Sequence, residues 1–249
     1  ARETNVVSQH VTRKEIRFFY KFYNNYSRII AQSNDMEIDL IKNFGIKKNK
    51  LIKINNPVDI NFIEEKLAES ERPVEFSHQH KNVVAIGNLS ARKGFDNLLK
   101  VFTRLKNQNI LLHILGDGKD KEMLLQMKEI LGLDHVIFHG KKSNPYQYLK
   151  FADLFILSSR YEGFPNVLLE AGTCGVYSLA NNCPGGIDEI IIDQINGEIS
   201  NIESYDDFAE KIKHAVHRNN DKENIKASIK SRFSKEIILK KYEDLLWNI

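Results

Sequence analysis

The chain has 249 residues, 42 % of them apolar and 28 % charged, with a net charge of +3, a balance that supports a packed core and excludes global disorder. So small a positive excess gives no argument for a nucleic-acid partner. The two cysteines, Cys174 and Cys183, have neither the spacing of a metal site nor the number for a disulfide framework, and no apolar run approaches the roughly 18 residues of a membrane span.

In chain order, residues 10–30 read as a helix with Ile16, Phe19, Tyr20 and Tyr23 on one face and Arg13, Lys14, Arg17 and Lys21 around it. Such a helix either packs its aromatic face into a core while its cations snorkel outward, the reading preferred here, or leans on anionic lipid. Residues 27–33 then predict a buried strand, 34–44 a helix stopped by Gly45, and 51–54 a strand ending at Asn55-Asn56-Pro57. Residues 61–80 hold no sustained apolar period after Leu67 and read as a short helix and a linker, with a boundary near Arg72. From Val83 onward strands and helices alternate as a doubly wound parallel sheet requires. The strands fall at 83–87, 110–115, 136–140, 151–159 and 177–180. The helices fall at 95–105, after Gly116-Asp117-Gly118 up to Leu131, after Pro165, and at 204–218, 222–233 and 234–247.

Loops that follow strands carry the chemistry. Asn88 to Gly94 puts Arg92 and Lys93 beside a helix start, where a diphosphate finds cations and unpaired N–H groups; a solvated basic loop is the bland alternative. Gly116-Asp117-Gly118 is a poor dinucleotide signal, because Lys121 stands at the third glycine position. His139 reads as a packed residue and not as a base or ligand. The most informative stretch is Arg160 to Ala171 (RYEGFPNVLLEA), a strand, loop and helix in which Glu162 lies in the loop and Glu170 one turn inside the helix. Asn166 and Glu170 are four apart, so both face one side. An ionised carboxylate accepts both hydroxyls of a ribose diol. The spacing alone would suit two solvated surface charges equally well.

The whole string Glu162-Gly163-Phe164-Pro165-Asn166-Val167-Leu168-Leu169-Glu170 strongly resembles the E-x7-E signature of retaining family 4 glycosyltransferases of the GT-B fold. Other strings agree in order and spacing. Asn56-Pro57-Val58-Asp59 resembles the family's Asn-Pro-Val-Asp element, Gly87 to Gly94 its G-R-L-x-x-x-K-G element, Val136 to Gly140 its V-x-F-x-G strand and Pro184 to Glu189 its P-G-G-x-x-E turn. One departure is Asn88, which stands where the family has Arg; Lys93 matches the family Lys, and Arg92 is the candidate stand-in.

The resemblance implies an α/β chain of GT-B type. Residues 1–72 would be the carboxyl-terminal remnant of an acceptor-side domain with its linker, an incomplete Rossmann-like unit. Residues 73–232 would form a complete Rossmann-like, parallel-sheet, donor-binding domain. Residues 233–249 would be a helix crossing back to the first domain, anchored by Trp247. The implied reaction is transfer of a hexose or N-acetylhexosamine from a nucleoside diphosphate sugar to a glycan or glycolipid acceptor with retention; a non-catalytic nucleotide-sugar binding module is the alternative. Glu162 and Lys93 would be catalytic. Asn88, Arg92, Lys93, Gly116, Gly163, Phe164, Pro165, Asn166, Val167 and Glu170 would bind the donor. No cofactor is expected, and no metal, since the sequence has no Asp-x-Asp. The expected partners are a nucleotide sugar and a glycan or lipid-linked acceptor, with no nucleic acid, in the cytoplasm or peripheral to the inner membrane face. A truncated sheet would leave Ile29, Ile30, Ile52 and Ile54 to be covered, for example by self-association through the incomplete first domain.

Overall fold

The structure is a computed structural model and describes residues 7–11, 13–76 and 78–247; Thr12 and Ser77, and the side chain of Lys14, on which parts of the expectations above fall, lie outside it. The first unit runs through α1 (Val7–His10), α2 (Lys14–Phe19), a 3-10 turn (Tyr20–Asn25), β1 (Ile29–Ala31), α3 (Asn34–Phe44) and β2 (Leu51–Lys53). There follow α4 (Ile60–Ala68), β3 (Lys81–Ile86), α5 (Phe95–Phe102), β4 (Ile110–Leu115), α6 (Lys121–Leu131) and β5 (Val136–Gly140). The remainder is α7 (Tyr146–Lys150), β6 (Leu154–Leu157), α8 (Asn166–Thr173), β7 (Ser178–Asn181), α9 (Ile187–Ile190), β8 (Gly197–Ser200), α10 (Tyr205–Val216), α11 (Lys222–Phe233) and α12 (Lys235–Trp247). β1 and β2 pair in parallel as a two-stranded sheet, and the other strands form a six-stranded parallel sheet in the order β5-β4-β3-β6-β7-β8.

Local chemistry sets many of these limits. α3 starts where the Ser33 hydroxyl accepts the Met36 N–H at 3.2 Å, with Asp35 and Glu37 in the first turn, where the helix dipole favours negative charge. It stops at Gly45, whose φ of +66° is left-handed. Asp59 and Asp221 cap α4 and α11 in the same way. β3, β4 and β6 lie in the middle of the large sheet, buried on both faces, so they read as apolar runs without alternation.

The pleat divides those runs between two cores. Val83 and Ala85 of β3, with Leu112 and Ile114 of β4, face Leu98 and Phe102 of α5 and Phe208 and Ile212 of α10. Val84 of β3, with Phe155 and Leu157 of β6, faces Leu149 of α7, Leu168 of α8 and Ile229 of α11. Burying each such side chain fully contributes about 1.5–3 kcal/mol. A third core surrounds β1 and β2 with Ile29, Met36, Leu40, Phe44 and Leu51.

Several expectations are corrected. Ile63 of α4 packs in the α7–α8 core, Val58 N–H donates to the Phe233 carbonyl and the Val58 carbonyl accepts from Lys235 N–H. Residues from Val58 onward are thus packed with the six-stranded unit. The helix expected over residues 10–30 is split, and its 3-10 turn, at about three residues per turn, breaks the period that aligned the aromatic face. Tyr20 is buried, 4.6 Å from the Phe44 ring, but Ile16 and Phe19 are exposed, as are Phe18 and Phe22. Ile29 and Ile54 are buried and Ile30 and Ile52 half-buried within the chain itself, so they do not await cover. Trp247 is 88 % exposed among the described residues, and α12 is held at its start, by the buried Ile238 and a Lys235–Asp59 ion pair of 2.9 Å.

Candidate functional site

The chain runs outward from β3 through β4 to β5 and returns to β6 on the other side of β3. At such a reversal ligands bind beside the loops that leave the carboxyl ends of the two neighbouring strands. Here those loops are residues 87–94 and 158–165, which carry Arg92, Lys93 and Glu162.

The loops are tied to each other at the backbone. Ser158 Oγ donates to the Lys93 carbonyl at 2.7 Å and Arg160 N–H to the Arg92 carbonyl at 2.8 Å. Gly94, with φ +65°, passes so close that a β-carbon there would stand 2.1 Å from the Ser158 carbonyl oxygen. Across this junction Glu162, 5 % exposed, accepts Lys93 Nζ at 2.5 Å on one oxygen and Arg92 at 2.6 Å on the other, with the Ser159 hydroxyl at 2.6 Å. Burial pushes the Glu162 carboxyl up, but Lys93, then Arg92, and the hydrogen bonds outweigh it and hold the group below the usual carboxylate range. Two cations thus meet one carboxylate in direct contact.

The Lys93 stem lies against Gly87, where a β-carbon would meet it at 3.2 Å. Gly87 and Asn88 also line a cleft of about 520 Å³ with Gly116, Asp117, Lys141 and Lys142, a volume within the range of small-molecule sites. Gly116 has φ +143° and its β-carbon would stand 1.8 Å from the Gly87 carbonyl oxygen, so this close approach of two loops requires glycine.

Glu170 lies on α8, within electrostatic reach of Lys93. Burial raises its carboxyl, Lys93 draws it partly back, and it makes no hydrogen bond or ion pair among the described residues. It shares a small cavity with Asn166 and with Tyr146 of α7, whose phenol is pushed up to about 12 by burial and then by Glu170. Asn166 Oδ1 accepts from Asn56 Nδ2 at 2.7 Å, so its oxygen is engaged with the first unit. Gly163, Phe164 and Pro165 are buried and Val167 half-buried; Phe164 packs edge-on against Phe233 at 5.4 Å.

The structure thus brings Arg92, Lys93 and Glu162 into contact, sets Glu170 near them, and puts Asn88 and Gly116 on the adjoining cleft. Sequence reasoning missed Ser159, Tyr146 and the Lys141–Lys142 pair; the Ser159–Glu162 spacing of three across a turn was the one available signal. His139 is packed as expected, its Nε2 3.0 Å from Nδ1 of His113, which burial and then His139 lower to about 3. Among the described residues no three His, Cys, Asp or Glu side chains are grouped to hold a metal, and no helix is long and apolar enough to cross a membrane.

The model of one family, glycosyl transferases group 1, matches residues 68–232, a span that contains the whole cluster. The chain belongs to this family. The resemblance to GT-B glycosyltransferases of family 4 type is thereby confirmed, as is the fold. An uncharacterized glycosyltransferase of Methanocaldococcus jannaschii is 30 % identical over 194 residues, 74 % of this chain and 47 % of its own length. The Campylobacter jejuni N-acetylgalactosamine-N,N'-diacetylbacillosaminyl-diphospho-undecaprenol 4-alpha-N-acetylgalactosaminyltransferase is 28 % identical over 192 residues, 77 % of this chain and 51 % of its own. The chain therefore spans about half the length of these curated relatives. Among solved structures, Anabaena HepE in complex with UDP and glucose superposes with a TM-score of 0.84 at 21 % identity, over 98 % of this chain and 70 % of that one, which shows the GT-B fold alone.

Proposed function

We propose that this glycosyltransferase chain binds the nucleoside diphosphate part of a sugar donor, and that the enzyme it represents transfers a hexose or N-acetylhexosamine with retention and without a bridging metal. One observation carries the reading: a half-buried Glu170, with no hydrogen-bond or ion-pair partner among the described residues, stands within electrostatic reach of the cluster of Lys93, Arg92 and Glu162, as a ribose diol next to a diphosphate would require. In this reading Lys93, Arg92 and the first N–H groups of α8 meet the charge that develops on the leaving diphosphate. Glu162 aligns the two cations and faces the sugar. Thermal-shift titration with nucleoside diphosphates and their sugars tests it, since a ligand at a hundredfold its Kd stabilises by about 2.7 kcal/mol. No shift with any of them overturns it. Glu162→Gln, which releases both cations, is expected to keep or raise affinity for the bare diphosphate and to lose its preference for the sugar nucleotide.

The acceptor is a glycan or lipid-linked glycan, a reading supported by the diphospho-undecaprenol in the name of the Campylobacter relative. Contact with the inner face of an anionic membrane is supported by the exposed Phe18, Phe19 and Phe22, ring centroids 5.9–6.5 Å apart, beside Arg17 and Lys21. Replacing all three by Ser should abolish sedimentation with phosphatidylglycerol vesicles; undiminished sedimentation refutes it. Asn88 in place of the family Arg favours the second reading, a binding module that does not catalyse. A radiolabelled transfer assay separates the two, and light scattering on the same sample reads self-association through the outer edges of the β1–β2 sheet.

A further inference from the structure

A seam of hydrogen bonds joins the two units where α3 begins. Asp35 Oδ2 accepts the Gly185 N–H at 2.7 Å. From the other side Glu189 of α9 accepts Asn34 N–H at 2.6 Å, Lys53 Nζ at 2.7 Å and Asn55 Nδ2 at 3.2 Å. Between them runs Pro184-Gly185-Gly186, whose Pro184 carbonyl accepts the Glu162 N–H at 2.8 Å. Both glycines are needed for space. A β-carbon on Gly185, φ +128°, would stand 2.3 Å from the Glu162 carbonyl oxygen, and one on Gly186, φ +68°, would stand 2.7 Å from Ser33 Cβ and 2.8 Å from the Phe164 ring. A single thickness of backbone thus separates the first turn of α3 from Glu162, hydrogen-bonded on both sides.

We infer that Asp35 is a positioning residue for the Glu162–Lys93–Arg92 cluster. By holding the Gly185 N–H it sets the Pro184 carbonyl against the Glu162 N–H, and so fixes the carboxylate that aligns both cations. Glu189 keeps the two units in register, and Asp35 passes that register to the cluster. Without the Asp35 bond the paired glycines offer little resistance to rotation of the loop, because glycine is free over a wide range of φ. The inference rests on the donor-site reading above.

The test compares the parent chain with Asp35→Ala, with Asp35→Asn, and with Asp206→Ala, which removes an exposed ion pair to Arg104. Hydrogen exchange without ligand, read by mass spectrometry, follows residues 159–168, β4 and α10. In Asp35→Ala, exchange over 159–168 is expected to rise on the order of tenfold or more, the loss of one bond to a charged acceptor. Asp35→Asn, whose amide oxygen still accepts, should return most of the protection. Asp206→Ala should leave the segment unchanged, and β4 and α10 should keep parent rates throughout. Unchanged exchange over 159–168 in Asp35→Ala overturns the inference, and so does equal acceleration in β4 and α10, which marks a merely structural role. Calorimetric titration with UDP on the same samples should show several-fold weaker binding in Asp35→Ala alone. Failure of the parent chain to bind UDP would count against the donor-site reading, while the exchange comparison would still decide the role of Asp35.

Discussion

Lys93→Met separates the ammonium of Lys93 from its stem. Methionine keeps the apolar chain that lies against Gly87 and deletes only the charge that meets Glu162 at 2.5 Å. Removing one partner of a buried ion pair costs about 3–5 kcal/mol when the other charge is left alone. Here Glu162 keeps Arg92 and the Ser159 hydroxyl, so the loss is that of one charge-assisted hydrogen bond, about 1.5–3 kcal/mol. For a chain of this size that lowers Tm by roughly 3–12 °C. The pH dependence has a definite sign. The Glu162 carboxyl is held below its ordinary 4.5 in the folded chain, so the stability it contributes is present above that value and lost as the pH falls through the depressed one. The gap between parent and variant, followed by urea unfolding from neutral pH downward, should therefore be constant above 4.5 and close below it. A gap that stays constant into strong acid, or widens there, would refute the claim that the ammonium–carboxylate contact is what stabilises this junction.

Glu170→Gln should act with opposite signs on stability and binding. Burial raises the Glu170 carboxyl, so neutralising it is expected to raise the melting temperature of the ligand-free chain at neutral pH, with the advantage shrinking as the pH falls toward 4.5; calorimetry should meanwhile show UDP affinity down by about tenfold or more. Gly94→Ala forces a β-carbon onto the Ser158 carbonyl at positive φ and should lower the urea midpoint by the equivalent of at least about 1–3 kcal/mol. Trp247→Ala, at an exposed position, should change stability by less than about 0.5 kcal/mol in the same assay.

Where local chemistry decides, the sequence was legible. The limits of α3 could be read to the residue because Ser33 and Gly45 mark both ends, and β4 and β5 because an apolar run ends at glycine. α7 and β8 escaped notice: the first is five residues long and the second, Gly197-Glu198-Ile199-Ser200, is an edge strand opening on glycine with little apolar content. At the site, the motif named Glu162 and Lys93 but not their contact, which joins residues 69 apart and depends on β3 and β6 becoming neighbours. That Glu170 is half-buried without a hydrogen-bond or ion-pair partner among the described residues could not be read either, since a glutamate in Val-Leu-Leu-Glu-Ala looks like the wet side of a helix. Trp247 looked like an anchor because the chain's one tryptophan sits near its end, yet α12 buries only Ile238 among its described residues.

The clasp at Val58 bears on how the molecule comes apart. Val58 bonds to Phe233 and Lys235, and Asp59 to Lys235, so the segment entering the large sheet and the helix leaving it are fastened to each other. The six-stranded unit thereby closes on its own residues, while the core around Ile29 and Leu40 is separate from it and the joints described between them are polar. Two cores sharing the large sheet and a third joined to them through polar contacts make two cooperative foldons, not one. Urea denaturation of this chain is accordingly expected to proceed in two steps, the smaller unit opening before the six-stranded one.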